Sequence, residues 1–71
     1  MIIEVKGIGH IDLLSVVVVQ PVMGDTKTNI DYYYVSLLGG HVIRVYESIY
    51  KRDLFINEWV KAKALQHSLI N

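Results

Sequence analysis

A glycine pair, Gly39-Gly40, separates two runs rich in apolar and aromatic residues, and it constrains the fold more than any other feature. Glycine adopts positive φ without steric cost, and a type I′ turn needs positive φ at both central residues. The twist of that turn matches the twist of two antiparallel strands. Residues 29–50 are therefore predicted to form a β-hairpin with a two-residue loop.

A two-residue loop fixes how the two strands pair, so that Val35 faces Arg44 and Tyr33 faces Tyr46. In this register neither face of the hairpin is polar, whereas a sheet with one side in water alternates apolar and polar residues. Both faces are therefore expected to be covered, and the sequence leaves open which one the helix takes. One predicted face carries Asp31, Tyr33, Val35, Leu37, Val42, Arg44, Tyr46, Ser48 and Tyr50, and the other carries Ile30, Tyr32, Tyr34, Ser36, Leu38, His41, Ile43, Val45, Glu47 and Ile49.

The rest of the chain predicts two further strands and a helix. Apolar and charged residues alternate over residues 1–6, as in an edge strand. Residues 11–23 are apolar at both odd and even positions, as in a strand that is buried on both faces. Pro21 has no N–H to donate to a neighbouring strand, which indicates a sheet edge or a bulge. Residues 24–29 are predicted to form a polar loop. Asp53 is a plausible N-cap of a C-terminal helix. The helix is expected to pack through Leu54, Phe55, Trp59, Ala62, Leu65 and Leu69, with a second apolar strip of Ile56, Val60 and Ala64.

The predicted fold is a single α+β domain over residues 1–71, a small four-stranded, mostly antiparallel β-meander with one C-terminal helix packed on one sheet face. A 71-residue chain without cysteine has no disulfide to stabilise a small core. Apolar residues make up 52% of the chain, more than so small a core can bury. A homodimer or higher homo-oligomer is therefore expected. The residues assigned to self-association are Val35, Leu37, Val42, Ile56 and Val60.

Charge and hydropathy bear on the choice of partner. Seven basic and seven acidic residues cancel, which gives no electrostatic pull toward nucleic acid or an anionic membrane. The N-terminus lacks the basic and apolar regions of a signal peptide, and the longest apolar run is too short to span a bilayer. We expect a cytoplasmic protein with no membrane association.

No catalytic or metal-ligating set emerges from the sequence. Gly7 and Gly9 lack the third glycine of a dinucleotide site and the Gly-Lys-Ser/Thr of a P-loop, and they are interpreted as a turn or bulge. His10 and Asp12 share a strand face, but no third ligand can be placed beside them. No cofactor, metal or catalytic residue is predicted. A small enzyme or metal protein remains an alternative, with His10, Asp12 and Glu47 in a site completed across a dimer interface.

Tyr33, Arg44, Tyr46 and Tyr50 form the most suggestive group, because aromatic residues and arginine dominate protein–protein hot spots. The leading hypothesis is a non-catalytic accessory or inhibitor-type factor that binds another protein, of a kind common among viral and mobile-element genes. Aromatic and arginine side chains on a sheet also stack single-stranded bases. Single-stranded nucleic-acid binding, helped by Lys51 and Arg52, is therefore an alternative, although the neutral net charge disfavours it.

Overall fold

The computed structural model describes the backbone of residues 1–70 and the side chains of residues 1–68. The elements are strands β1 (Ile2–Val5) and β2 (Gly9–Asp12), a 3₁₀ turn (Leu13–Ser15), strands β3 (Val16–Val19), β4 (Met23–Asp25), β5 (Ile30–Leu37) and β6 (Val42–Tyr46), and helix α1 (Arg52–Ile70). The predicted α+β class is confirmed, with antiparallel sheets of several strands followed by a C-terminal helix.

Strand β5 is the centre of the main sheet. β6 pairs along one side of it, while β3 and β4 share the other side, one beside each half of β5. β1 and β2 pair with each other as a separate two-stranded hairpin. The predicted four-stranded meander therefore holds in outline, except that the N-terminal strand lies outside the main sheet.

The predicted long strand over residues 11–23 is broken into shorter pieces. The Asp12 carboxylate accepts a hydrogen bond from the Leu14 N–H (3.0 Å) and caps the 3₁₀ turn. β3 then begins with a bulge, and Val17 and Val18 are 49% and 45% exposed, so the expectation of burial on both faces is wrong. Pro21 lies between β3 and β4, which pair only with β5 among the described residues and are therefore edge strands. Proline has no N–H to donate to a neighbouring strand, so an edge position suits it.

The central hairpin forms as predicted, but its loop has three residues. The Leu37 N–H donates to the His41 carbonyl (2.8 Å), and the Gly40 N–H donates to the Leu37 carbonyl (3.2 Å). Tyr34 consequently pairs with Arg44, and Tyr33 pairs with Val45. The predicted register is wrong by one residue, which turns every β6 side chain to the opposite face relative to β5.

The observed register produces one buried face and one exposed face. Tyr33, Val35 and Val45 point to the same side and are completely buried, while the other side carries residues that are exposed or half-buried. Burying a large apolar side chain stabilises the fold by roughly 1.5–3 kcal/mol, so the register that collects these residues on one side is favoured. The core contains Val5, Ile11, Leu13, Val16, Val19, Tyr33, Val35, Val45, Phe55 and Ala62.

Helix α1 covers the buried face of the sheet through its first three turns. The Phe55 ring makes edge contacts with the rings of Tyr33 and Tyr50, with centroids 6.0 and 5.9 Å apart. Ala62 is buried, and the helix packs against the 3₁₀ turn. The helix begins at Arg52, whose N–H donates to the Glu47 carboxylate. The predicted N-cap role of Asp53 is therefore wrong, because Asp53 already lies in the first helical turn and Glu47 caps the helix.

The second half of the helix extends past the core. Leu54 and Leu65 are exposed instead of packed, and the described side chains of residues 63–68 are all exposed. The predicted packing of Leu69 lies outside the described side chains. Only part of the predicted apolar side of the helix, Phe55, Trp59 and Ala62, meets the rest of the protein.

Candidate functional site

The exposed side of the main sheet is a continuous surface rich in tyrosine. Residues that pair directly across antiparallel strands project to the same side, so the register defines the members of this surface. We call it the outer sheet face; it comprises Val18, Met23, Asp25, Ile30, Tyr32, Tyr34, Ser36, Val42, Arg44 and Tyr46.

Arg44 lies in the middle of β6, on the outer sheet face, and is held by tyrosines. Its guanidinium carbon is 4.8 Å from the ring centroid of Tyr32 and 5.5 Å from that of Tyr34, distances typical of cation–π contact. One guanidinium nitrogen donates to the Tyr34 hydroxyl (2.9 Å). Hydrogen bonds with the hydroxyls of Tyr34 and Tyr46 raise the pKa of Arg44. The guanidinium is therefore a fixed positive charge with a defined orientation.

The tyrosines also support one another. The rings of Tyr32 and Tyr34 make an edge contact with centroids 5.5 Å apart. Both are half-buried, while Tyr46 is exposed on the neighbouring strand opposite Tyr32. The result is a preorganised aromatic platform, and a partner that binds it has little side-chain entropy to remove.

A groove with one acidic residue borders this platform. Asp25 and Thr28 line a groove together with Tyr32, Arg44 and Tyr46. Hydrogen bonds from the Lys27 N–H and the Thr28 side chain, with a smaller contribution from Arg44, lower the pKa of Asp25. Arg44 and Asp25 are the only charged residues among those that define the outer sheet face, while Lys6 lines a pocket beside Arg44 and Tyr46, and Lys27 follows Asp25 in the loop.

The predicted binding residues do not lie on one surface. Arg44 and Tyr46 are exposed on the outer sheet face, but Tyr33 is completely buried on the opposite side of the sheet. Tyr50 is half-buried against Phe55, and its carbonyl accepts a hydrogen bond from the Tyr33 hydroxyl (2.8 Å). The placement of Tyr33 and Tyr50 beside Arg44 is therefore wrong, and its cause is the shifted register.

The predicted self-association residues are also separated. Val35 is in the core, and Leu37 packs against it. Val42 is exposed on the outer sheet face, while Ile56 and Val60 lie on the helix, half-buried and exposed respectively. Only Val42 and Val60 of this set are available at the surface as large apolar groups.

Neither of the basic residues beside the helix joins the platform. Lys51 is exposed before the helix begins. Arg52 donates to the carbonyls of Gln20 (2.7 Å) and Val19 (3.3 Å), which fixes it to the end of β3. The set proposed for stacking bases, with Lys51 and Arg52 beside Arg44, is not assembled on a single surface.

The residues considered for metal binding have structural partners instead of each other. His10 pairs across β1 and β2 with Glu4, at 3.5 Å. Asp12 caps the 3₁₀ turn, and Glu47 caps the helix. Among the residues whose side chains are described, no three His, Asp or Glu side chains are grouped so that they could hold a metal ion.

Sequence reasoning missed Tyr32 and Tyr34 as site residues. The signal was the absence of polar alternation in the predicted register. A shift of one residue places Tyr33, Val35, Ile43 and Val45 on one side and leaves Tyr32 and Tyr34 with Arg44. The shift gathers the completely buried residues on one side of the sheet, although the opposite side keeps exposed apolar residues such as Val18 and Val42 beside the tyrosines.

Comparison with known proteins gives no match: no family model matches the chain, and neither a curated protein nor a solved structure is significantly similar to it. In the part of the chain that the structure describes, no helix combines the length and the apolar character needed to cross a membrane.

Proposed function

We propose that the protein is a small, non-catalytic, oligomeric factor that binds another protein through the outer sheet face. The observation that carries this proposal is the guanidinium of Arg44, held against Tyr32 and Tyr34 on a surface that is otherwise largely apolar. Tyrosine and arginine are the residues that contribute most to protein–protein hot spots, particularly where the neighbouring contacts exclude water.

The composition of the surrounding surface favours a protein partner. Val18, Met23, Ile30 and Val42 are exposed large apolar residues around the tyrosines. Exposed apolar patches beyond a few hundred Å² are uncommon on soluble monomers and mark interaction sites. The face itself carries one cation, Arg44, and one acid, Asp25, with Lys6 and Lys27 only at its borders. Proteins that bind single-stranded nucleic acid combine stacking residues with a continuous positively charged groove.

The test is capture of a partner on the immobilised protein, with and without nuclease treatment, at low and high salt. The variant is Arg44→Ala with Tyr46→Ala, and the matched control is Leu54→Ala with Lys61→Ala, which removes an exposed apolar group and a cation from the helix. Circular dichroism establishes that both are folded. We expect a nuclease-resistant protein partner that is retained by the wild type and the control and lost by the Arg44/Tyr46 variant.

Two results contradict the proposal. Equal capture by the Arg44/Tyr46 variant removes the outer sheet face as the binding surface. Bound material that disappears with nuclease and weakens steeply with salt assigns the face to nucleic acid, since phosphate contacts release counterions.

A further inference from the structure

Helix α1 carries a second surface that the core leaves largely uncovered. Asp53, Ile56, Val60 and Lys63 are spaced by three, four and three residues, which places them on one flank of the helix. Val60 is 58% exposed, and Ile56 is half-buried at the margin of the core. We call these four residues the helix strip. Its spacing is that of the a and d positions of a coiled coil.

The shape of the surface suits a second helix. A shallow groove covers the C-terminal half of the strip, where Val60 and Lys63 lie between Trp59 on one side and Ala64 on the other. Ala64 is small, so the backbone of a neighbouring helix can approach closely, and helix axes in packed pairs lie only about 8–10 Å apart. The groove continues into the part of the helix that extends past the core.

The helix has apolar residues on more sides than the protein itself covers. Phe55 and Ala62 face the core, while Leu54, Val60 and Leu65 are exposed. Helical segments without tertiary packing are marginal in water, which applies to residues 63–68.

We infer that a second copy of this chain packs on the helix strip as an antiparallel helix pair. This inference rests on the oligomeric part of the proposed function. In an antiparallel pair each a position meets a d position of the other helix. Ile56 then packs against the partner's Val60, and Asp53 meets the partner's Lys63. The two-fold axis repeats both contacts, which gives two apolar pairs flanked by two ion pairs.

The charges select this arrangement over its alternatives. A parallel pair places Asp53 beside the partner's Asp53, and like charges in contact are unfavourable. An antiparallel pair shifted by one heptad sets Val60 against the partner's Lys63, and an apolar side chain then has no apolar partner. The strip is therefore complementary to itself in one orientation and one register.

The interface is small, because it involves about three turns of one helix from each copy. Interfaces of this size form weak or transient complexes. We expect dissociation in the micromolar range. Trp59, the only tryptophan, lies beside the centre of the pairing, so its fluorescence reports assembly on dilution.

The first test is sedimentation of the full chain over a micromolar dilution series. The variant is Val60→Glu, and the control is Leu54→Glu, which places the same charge at a residue of similar exposure (54%) on another side of the helix. Glutamate forms helices better than valine does, so the variant keeps its helix. We expect a dimer for the wild type and the control and a monomer for Val60→Glu. Equal masses for the two variants overturn the inference.

The second test exchanges the charges. Asp53→Lys and Lys63→Asp each bring like charges together, and each is expected to weaken the dimer by more than about tenfold. An equimolar mixture of these two variants, and the variant that carries both changes, restore opposite charges at every contact and should dimerise as the wild type does. Folded variants that stay monomeric in both restoring cases overturn the antiparallel register.

The outcomes separate this inference from the proposed function. A wild-type chain that is monomeric at every concentration removes the dimer, while the capture experiment on Arg44 and Tyr46 stands by itself. A dimer that dissociates with Arg44→Ala and Tyr46→Ala, but persists with Val60→Glu, shows that the copies meet through the outer sheet face and overturns the helix pair.

Discussion

Two arginines of this chain have opposite roles because of what surrounds them. Arg44 is exposed and lies over tyrosine rings, where the proposed function assigns its charge to a partner. Arg52 is half-buried and donates to the carbonyls of Val19 and Gln20, so it joins the start of the helix to the end of β3. In the proposed function the first arginine binds a partner, while the contacts of the second stabilise the fold.

Replacing Arg52 by alanine should lower the free energy of unfolding by about 1–3 kcal/mol, since two partly buried carbonyls lose a charged donor. The matched control is Lys51→Ala at the neighbouring exposed position, for which we expect a change within about 0.5 kcal/mol. Urea denaturation followed by circular dichroism measures both. Equal destabilisation by the two substitutions would show that the Arg52 contacts contribute nothing.

The buried hydroxyl of Tyr33 limits the stability of the folded protein at alkaline pH. Burial, followed by the nearby Glu47 carboxylate, raises the pKa of Tyr33 above its ordinary value of about 10. Burial also raises the pKa of Tyr50. The native state therefore holds protons that the unfolded chain releases above about pH 10. Stability that is complete below that pH falls as the pH rises, by up to about 1.4 kcal/mol per pH unit for each group.

The Tyr33→Phe variant should show a shallower loss of stability above pH 10 than the wild type. At neutral pH it should be less stable by about 1 kcal/mol, because the Tyr50 carbonyl loses its donor. Urea midpoints across the alkaline range test both effects. Identical alkaline slopes for the two proteins would mean that Tyr33 ionises normally in the folded state.

Among the elements, the central hairpin decides which residues are buried. Gly39 and Gly40 both have positive φ, at 90° and 85°. Leu38 also belongs to the loop and is exposed. The pair that closes the hairpin is therefore Leu37 with His41, whereas a two-residue loop would pair Leu38 with His41. The orientation of Arg44 and Tyr46 toward solvent follows from that single residue.

Gly40→Ala should destabilise the protein by about 1–2 kcal/mol, because an L-residue with a side chain is strained at φ 85° even though the space around it is open. Leu38→Ala in the same loop removes an exposed side chain and should change stability by less than about 0.5 kcal/mol. Thermal denaturation of the pair distinguishes loop strain from a general effect of altering the loop. A neutral Gly40→Ala would contradict the assigned conformation.

Local sequence signals predicted which helices and strands exist better than they predicted the register in which the strands pair. The Gly39-Gly40 pair indicated the hairpin, Pro21 indicated the edge, and the helical spacing after Asp53 indicated the helix. The register was wrong because glycine pairs suit both two-residue and three-residue loops. Burial of Tyr33 and Val45 under the helix decides between them, and that is a tertiary contact.

The candidate site depends on the same contact. Arg44 and Tyr46 could be predicted as surface residues from their chemistry, whereas Tyr32 and Tyr34 required the correct register. The helix cap was misassigned for a related reason. Asp53 matches the local capping pattern, but the Glu47 carboxylate reaches the Arg52 N–H from outside the helix.

At the scale of the whole molecule, Phe55 joins the helix, the sheet and the connection between them. Its ring is completely buried and contacts Tyr33 of β5 and Tyr50 before the helix. Beyond this core, exposed hydrophobic residues remain on the outer sheet face and on the helix strip, the two surfaces that we propose for binding.

Phe55→Ala should unfold the isolated chain. The substitution of a buried phenylalanine by alanine costs about 3–5 kcal/mol, which is as large as the stability that a core of this size provides. The adjacent Leu54→Ala at an exposed position is the control and should leave the fold intact. Far-UV circular dichroism at room temperature tells the two results apart, and a folded Phe55→Ala would contradict the central place of this ring.

The proposed binding surface depends on the register of the central hairpin. Nuclear Overhauser effects between Hα protons across β5 and β6 measure that register directly. In non-hydrogen-bonded pairs the two Cα atoms are only about 4.5 Å apart. We expect strong Hα–Hα effects for Tyr34 with Arg44 and for Tyr32 with Tyr46. A strong effect between residues 33 and 46 in their place would turn Tyr33 outward beside Arg44, and it would contradict both the core and the outer sheet face described above.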